Sequence, residues 1–205
     1  ASVTGVATYT AVFDSTLRKY AVTFKNGSTT LQTSEVAYGS KPSYTGSTPT
    51  KKATSKYTYK FKGWNPAIAT VTKAATYQAV FDSTLRKYTI TFKNGETVLQ
   101  SSEVAYGTMP VYTGATPTQE ADAQYTYTFA GWDHELVSVT ANATYTATFS
   151  QTKNSYVITW LNDDNTLIDN TTVEYGVVPT HTDATKENTA EFTYTFTGWD
   201  VTPEA

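Results

Sequence analysis

Apolar and polar residues alternate with period two in short runs along this chain. The cleanest run is Tyr57-Thr58-Tyr59-Lys60-Phe61, with three rings at one parity and Thr58 and Lys60 at the other. Successive strand side chains point to opposite faces, so the pattern predicts a β-strand with one buried face. It returns at Tyr125 to Phe129 and at Phe192 to Phe196. A second alternating run, Tyr20-Ala21-Val22-Thr23-Phe24, returns at Tyr88 to Phe92 and Tyr156 to Trp160. A third, Tyr9-Thr10-Ala11-Val12-Phe13, returns at Tyr77 to Phe81 and Tyr145 to Phe149. A fourth strand is predicted from Leu31 to Tyr38, Leu99 to Tyr106 and Ile168 to Tyr175.

These recurrences have one spacing. Gly-Trp occurs at Gly63-Trp64, Gly131-Trp132 and Gly198-Trp199, at intervals of 68 and 67 residues. Self-similarity at a fixed period marks a repeat array and argues against one large enzyme fold. Asn26-Gly27 and Asn94-Gly95 predict tight hairpin turns with both residues at positive φ. The third copy has Asn162-Asp163-Asp164-Asn165 there, one residue longer. Gly39, Gly107 and Gly176 end the following strand, and Pro42, Pro110 and Pro179 lie three residues further on. In the connector that follows, Thr116 as N-cap, Pro117 at the first helical position and Gln119 to Gln124 predict one or two helical turns. Thr48-Pro49 is the equivalent pair in the first copy, and the third copy has a shorter connector from Asp183 to Glu191.

The layout resembles the Listeria–Bacteroides repeat, the internalin B-repeat family of bacterial surface proteins. The resemblance rests on the Tyr-x-Val/Ile-Thr-Phe opening and Tyr-Gly before a Pro. It rests equally on Phe129, Gly131, Trp132 and Asp133, and on the closing Ala-Thr-Tyr-x-Ala-x-Phe. It spans essentially the whole chain, with Asn65 in place of the Asp as one departure. It implies an α+β fold: β-grasp-like modules in tandem, predominantly antiparallel sheet with a short helical crossover, in an elongated array. A rod-like scattering profile is the expectation that goes with such an array.

Two phasings of the repeat are open. The family phase gives 1–18 as the closing strand of a preceding repeat, then modules 19–86, 87–153 and 154–205, the last without its closing strand. The other phase gives 3–70, 71–138 and 139–205. The opening Ala1-Ser2-Val3, with neither Met nor a charged leader, reads as a piece of something longer.

Composition agrees with a β array. The 205 residues include 43 Thr, 16 Tyr and 9 Phe, types that favour strands over helices. No Cys is present, which excludes disulfides, zinc-thiolate sites and thiol chemistry together. No apolar run approaches the roughly 20 residues that span a bilayer as a helix, and neither membrane insertion nor nucleic-acid binding is expected. The net charge of −3 conceals a gradient. Residues 19–86 carry +8, 87–153 carry −3 and 154–205 carry −8.

Candidate chemistry is sparse. His134 and His181 fall at different places in different copies and read as surface residues. No nucleophile–base set or phosphate-cradling glycine cluster is present, so the reading is non-enzymatic, with no cofactor. Asp163, Asp164 and Asp169 carry carboxylates suited to Ca²⁺ but fit no established loop spacing, and read as a polar turn. Sequons at Asn26, Asn142 and Asn170 match the number chance supplies in so Thr-rich a chain. Lys25 and Lys93 suggest isopeptide bonds, but Leu161 replaces the Lys in the third copy and none is expected. Trp64, Trp132 and Trp199 read as packing anchors before sugar platforms. The sharpest feature is basic. Lys60 and Lys62 lie on the outward parity of the aromatic strand, with Lys51, Lys52 and Lys56 in the connector before it. Together they form a candidate patch for an anionic ligand.

The function expected from this reading is an extracellular stalk or spacer on the bacterial cell surface, its partners being neighbouring repeats of the same protein. Two alternatives stand beside it: adhesion to a host glycan or surface protein, and head-to-tail self-assembly by strand addition.

Overall fold

The computed structural model describes residues 2–201. The outermost residues of the expected first and third segments, Ala1 and 202–205, lie outside these. Ten strands occur among the described residues, with no helix. The first sheet contains β1 (Lys19–Asn26), β2 (Thr29–Ala37), β3 (Tyr57–Asn65) and β4 (Ala75–Leu85), in the order β2-β1-β4-β3. The second contains β5 (Lys87–Asn94), β6 (Thr97–Ala105), β7 (Tyr125–Trp132) and β8 (Ala143–Lys153), in the order β6-β5-β8-β7. The third has, among the described residues, β9 (Ser155–Leu161) and β10 (Leu167–Glu174). By compactness the chain divides into two units, Ala1–Lys87 and Tyr88–Ala205.

Alternation accounts for the strands. In β3, Tyr57, Tyr59 and Phe61 are half-buried while Thr58, Lys60 and Lys62 are exposed. In β1, Val22 and Phe24 are wholly buried. Each four-stranded sheet has one core: Val22, Phe24, Val71 and Tyr77 in the first, Ile90, Phe92, Val139 and Tyr145 in the second. Half of each core therefore comes from the closing segment, the residues that lead into and form β4 or β8.

The α+β expectation is overturned. The connectors predicted to hold a helical crossover are irregular, and the fold is all-β. The first-copy connector is rich in Thr, Ser and Gly, which compete with helix formation, and too short to offset helix nucleation. Its backbone is held from outside instead. Gln32 Nε2 donates to the Ser43 carbonyl at 2.9 Å and Gln32 Oε1 accepts from Thr45 N–H at 2.9 Å. Asn26 Nδ2 donates to the Thr50 carbonyl at 2.8 Å. Gln100 and Asn94 do the same in the second copy. Pro49 and Pro117 are buried packing contacts rather than first residues of a helix.

The four-stranded sheets are also mixed. β1 and β4 run parallel, as do β5 and β8, while β1–β2, β3–β4, β7–β8 and β9–β10 are antiparallel. A parallel pair needs a long crossover, which β2, the connector and β3 supply.

Turn geometry differs in one detail from expectation. Asn26 ends β1 and pairs with Thr29, so the turn residues are Gly27 and Ser28. Of these only Gly27 has positive φ, +58°, which matches a type II′ turn with Gly first. The longer third loop uses Asn165 at φ 65°. Gly63 and Gly131 follow register shifts after Phe61 and Phe129, bulges that swing the next residue, Trp, onto the core.

Two predicted strands are absent from the sheets. Residues 9–13 and 192–196 have the right alternation but no strand assignment. A strand exists through its ladder of hydrogen bonds, and among the described residues neither segment has a partner strand to complete one.

Candidate functional site

Three places were singled out by sequence or structure: the lysines of the first sheet, the aromatic clusters, and the third repeat. The lysines do not converge. Lys60 and Lys62 leave one face of β3, and Lys62 Nζ is 2.8 Å from Asp82 on β4. That contact raises the Lys62 pKa, through the hydrogen bond first and charge attraction second. Lys51 and Lys56 instead sit over the rings of Tyr59 and Tyr57, at 4.1 Å and 5.3 Å. Those rings project from the opposite face. Lys52 is exposed on the connector. Four of these five cations are thus split between two faces, and Lys62 is already paired.

The tryptophans pack. Trp64 lies 4.8 Å from Phe24, 5.0 Å from Tyr44 and 5.4 Å from Phe61 between ring centroids. Trp132 repeats this with Phe92, Tyr112 and Phe129. His181 is not the surface residue expected. Its side chain is mostly covered, 5.1 Å from the Trp160 ring and 5.7 Å from Trp199. The signal was present in sequence: Pro42-x-Tyr44, Pro110-x-Tyr112 and Pro179-x-His181 place it in register with two core tyrosines. His134 stacks on Tyr145 at 4.4 Å and meets Asp133 at 2.8 Å.

The three acids of the third hairpin turn to separate partners. Asp163 pairs with Lys186, Asp164 accepts from Thr166, and Asp169 lies 3.8 Å from His181. Among the described residues no three His, Cys, Asp or Glu side chains gather as a metal site.

Sequence reasoning passed over one recurring turn. Thr54, Asp122 and Thr189 each use a side-chain oxygen to accept the N–H of the residue three further on. Asp122 does most, accepting from Gln124 N–H, Tyr125 N–H and the Tyr127 hydroxyl at 2.7–2.8 Å. These bonds hold its carboxyl below the ordinary value of 3.8, the Tyr125 N–H contributing most. Asp133 is lowered too, chiefly by accepting from Thr146 N–H. The first copy has Thr54 and Asn65 at these places. Folded-state pKa values below the unfolded value mean stability that is complete above about pH 4 and is lost as pH falls further. Acid titration followed by NMR is expected to weaken the second sheet before the first, and Asp122→Asn to reduce that difference. Parallel loss in both sheets would contradict the assignment.

The third repeat contains a groove of roughly 1460 Å³ between β9 and residues 194–201. Ile158, Trp160, Phe196 and Trp199 line it. Among the described residues β9 is paired with β10 alone, whereas β1 and β5 each have neighbours on both sides. Trp160 is the one buried apolar residue in this repeat among the described residues. The second and third repeats meet at Asn154, whose Nδ2 donates to the carbonyls of Asp122 and Ala123 at 2.7 Å and 3.2 Å. Tyr156 adds a hydroxyl bond to the Ala123 carbonyl at 2.7 Å.

No protein-family model matches the chain, and no curated protein matches it. A solved structure of Streptococcal High Identity Repeats in Tandem (SHIRT) domains 3-4 from a cell surface protein is similar at 17% identity. The match covers 67% of this chain and 99% of that one, with a TM-score of 0.34.

Proposed function

We propose that this chain is a non-enzymatic stalk segment of a bacterial cell-surface protein, extracellular, in which tandem β repeats project other domains and carry tension between them. The observation that supports this most is how each four-stranded sheet is entered and left. The chain enters through β1 and leaves through β4, and these are parallel neighbours at the sheet's centre, paired from Val22↔Ala75 to Lys25↔Gln78. Tension on the two ends pulls β1 and β4 in opposite directions along a shared axis. The hydrogen bonds between them are then strained together rather than opened one by one. β5 and β8 repeat the arrangement from Ile90↔Ala143 to Lys93↔Thr146. Only Arg86 separates β4 from β5, and only Asn154 separates β8 from β9, so little slack chain lies between sheets.

The motif set quoted above supports, as part of the same proposal, membership of the Listeria–Bacteroides repeat family. Adhesion to a host glycan or protein through Lys51, Lys52, Lys56, Lys60 and Lys62 has weaker support, because these cations diverge and Lys62 is neutralised by Asp82.

Stretching single chains from their ends tests the reading. Two discrete unfolding events are expected, each releasing the residues of one sheet from β1 to β4 or β5 to β8. At about 3.6 Å per residue this is roughly 240 Å of chain, less the folded length. Smooth extension without such events would remove the support.

A further inference from the structure

We propose that the turn before β7 is a docking surface for the repeat that follows, and that Asn154 binds it and fixes the angle between the second and third repeats. The inference goes beyond the stalk reading and does not depend on what the repeats are for.

Asn154 is the single residue between β8 and β9. A one-residue link has two soft dihedrals, so by itself it lets the strands on either side pivot. Here both ends are held. Its N–H donates to the Gln124 carbonyl of the second repeat at 2.9 Å. Its carbonyl accepts from Tyr175 N–H, just after β10 in the third repeat, at 2.9 Å. The side chain adds three bonds to the second repeat. Nδ2 donates to the carbonyls of Asp122 and Ala123, and Oδ1 accepts from Thr126 Oγ1 at 2.7 Å. Tyr156 donates its hydroxyl to the Ala123 carbonyl from within β9, which gives the third repeat a second hold two residues on.

The turn is built to offer these carbonyls. In a planar trans peptide the C=O points away from the N–H of the next residue. Asp122 Oδ1 accepts the N–H groups of Gln124 and Tyr125. The carbonyls of the same two peptide units, those of Ala123 and Gln124, are therefore turned outward. They are the ones that Asn154 and Tyr156 meet. Asp122 is thus a positioning residue, acting on the joint through the backbone.

Both halves of the arrangement recur at the first sheet. Thr54 Oγ1 accepts Tyr57 N–H, which turns out the Lys56 carbonyl, and that carbonyl accepts from Arg86 N–H at 2.9 Å. Arg86 Nη1 donates to the Thr54 carbonyl at 3.1 Å, the counterpart of the Asp122 carbonyl. Ahead of β1, the carbonyl of Arg18 accepts from Tyr38 N–H at 2.8 Å, as that of Asn154 accepts from Tyr175. Arg18, Arg86 and Asn154 hold one position of the repeat. Its backbone bonds come with the fold, and its side chain decides how firmly the turn is gripped.

Residual dipolar couplings measured on the whole chain test this, because they report the fold of each repeat and the orientation of one to the next. In the wild type, one alignment frame is expected to fit the amides of β5 to β8 and of β9 to β10 together. In Asn154→Ala each repeat is expected to keep its own fit, with the alignment of the third falling below that of the second by about a third or more. Tyr156→Phe, which removes one oxygen and keeps the ring, is expected to lower it less. Asp122→Ala is expected to act as Asn154→Ala does, and Asp122→Asn, which keeps an accepting oxygen, to leave one shared frame. Two frames in the wild type overturn the proposal, as does one shared frame in Asn154→Ala. A shared frame in Asp122→Ala overturns the part given to the turn. A third repeat that fits no frame in Asn154→Ala also overturns it, because Asn154 then supports the fold of β9 and β10 rather than their orientation.

Discussion

Phe92→Ala is expected to unfold the second sheet while the first remains folded. Phe92 is 1% exposed at the centre of β5. Its ring meets Trp132 at 4.7 Å, Tyr112 at 5.3 Å and Tyr145 at 5.3 Å, so four rings share one small core. Replacing a buried Phe by Ala costs about 3–5 kcal/mol, from lost transfer energy and from the cavity left behind. A module of this size has a total stability of roughly 3–10 kcal/mol. The loss is therefore a large part of the whole, with no second core inside the module to offset it. Two-dimensional NMR should show the resonances of β5 to β8 collapse while those of β1 to β4 persist. A fully folded variant with an unmoved melting transition would contradict the importance given to this cluster.

Stability is expected to fall away in the third repeat. Amide hydrogens in β9 should exchange at least about a hundredfold faster than those in β5. The sequences are close counterparts, Tyr88-Thr89-Ile90-Thr91-Phe92 against Tyr156-Val157-Ile158-Thr159-Trp160, so propensity predicts little difference. The difference lies in partners. β5 is hydrogen-bonded on both sides and sits over a core of four buried residues. Among the described residues β9 has β10 alone, and Val157 and Leu161 are exposed. A two-stranded ribbon is marginal in water without a third strand or a packed face. What holds it here is Trp160, with its Nε1 donating to Thr171 Oγ1 at 2.9 Å, and the bonds of Asn154 and Tyr156 to the second repeat. Equal protection in β5 and β9 would contradict this account.

The contrast between β5 and β9 shows what could be read from sequence. Alternation located the strands of the first two copies and the face each would bury, because side-chain parity is a property of the chain itself. It did not say which strands pair. Phe192 to Phe196 has the pattern of Tyr57 to Phe61 yet joins no sheet, since its ladder depends on residues far away along the chain. For the same reason the parallel centre of each sheet was not legible: alternation is the same for parallel and antiparallel neighbours. The helical crossover failed on a different point. Thr116-Pro117 is a good helix start, but Pro117 is buried and Asn94 and Gln100 bind the connector's backbone, and those contacts outweigh a weak local preference. The lysine patch failed on parity. Lys60 and Lys62 were placed on the outward face, while the rings that attract Lys51 and Lys56 project from the other.

The tension-carrying role of the parallel β1–β4 pair is tested most directly by pulling the same sheet in two directions. Handles on Cys introduced at Lys19 and Leu85 load β1 against β4 in shear. Handles at Tyr57 and Leu85, which face each other at one end of the antiparallel β3–β4 pair, open that pair from its end. The account predicts an unfolding force several-fold higher, on the order of three times, for the first geometry, because its hydrogen bonds yield together. Equal forces in the two directions, or a stronger response from Tyr57 and Leu85, would contradict it.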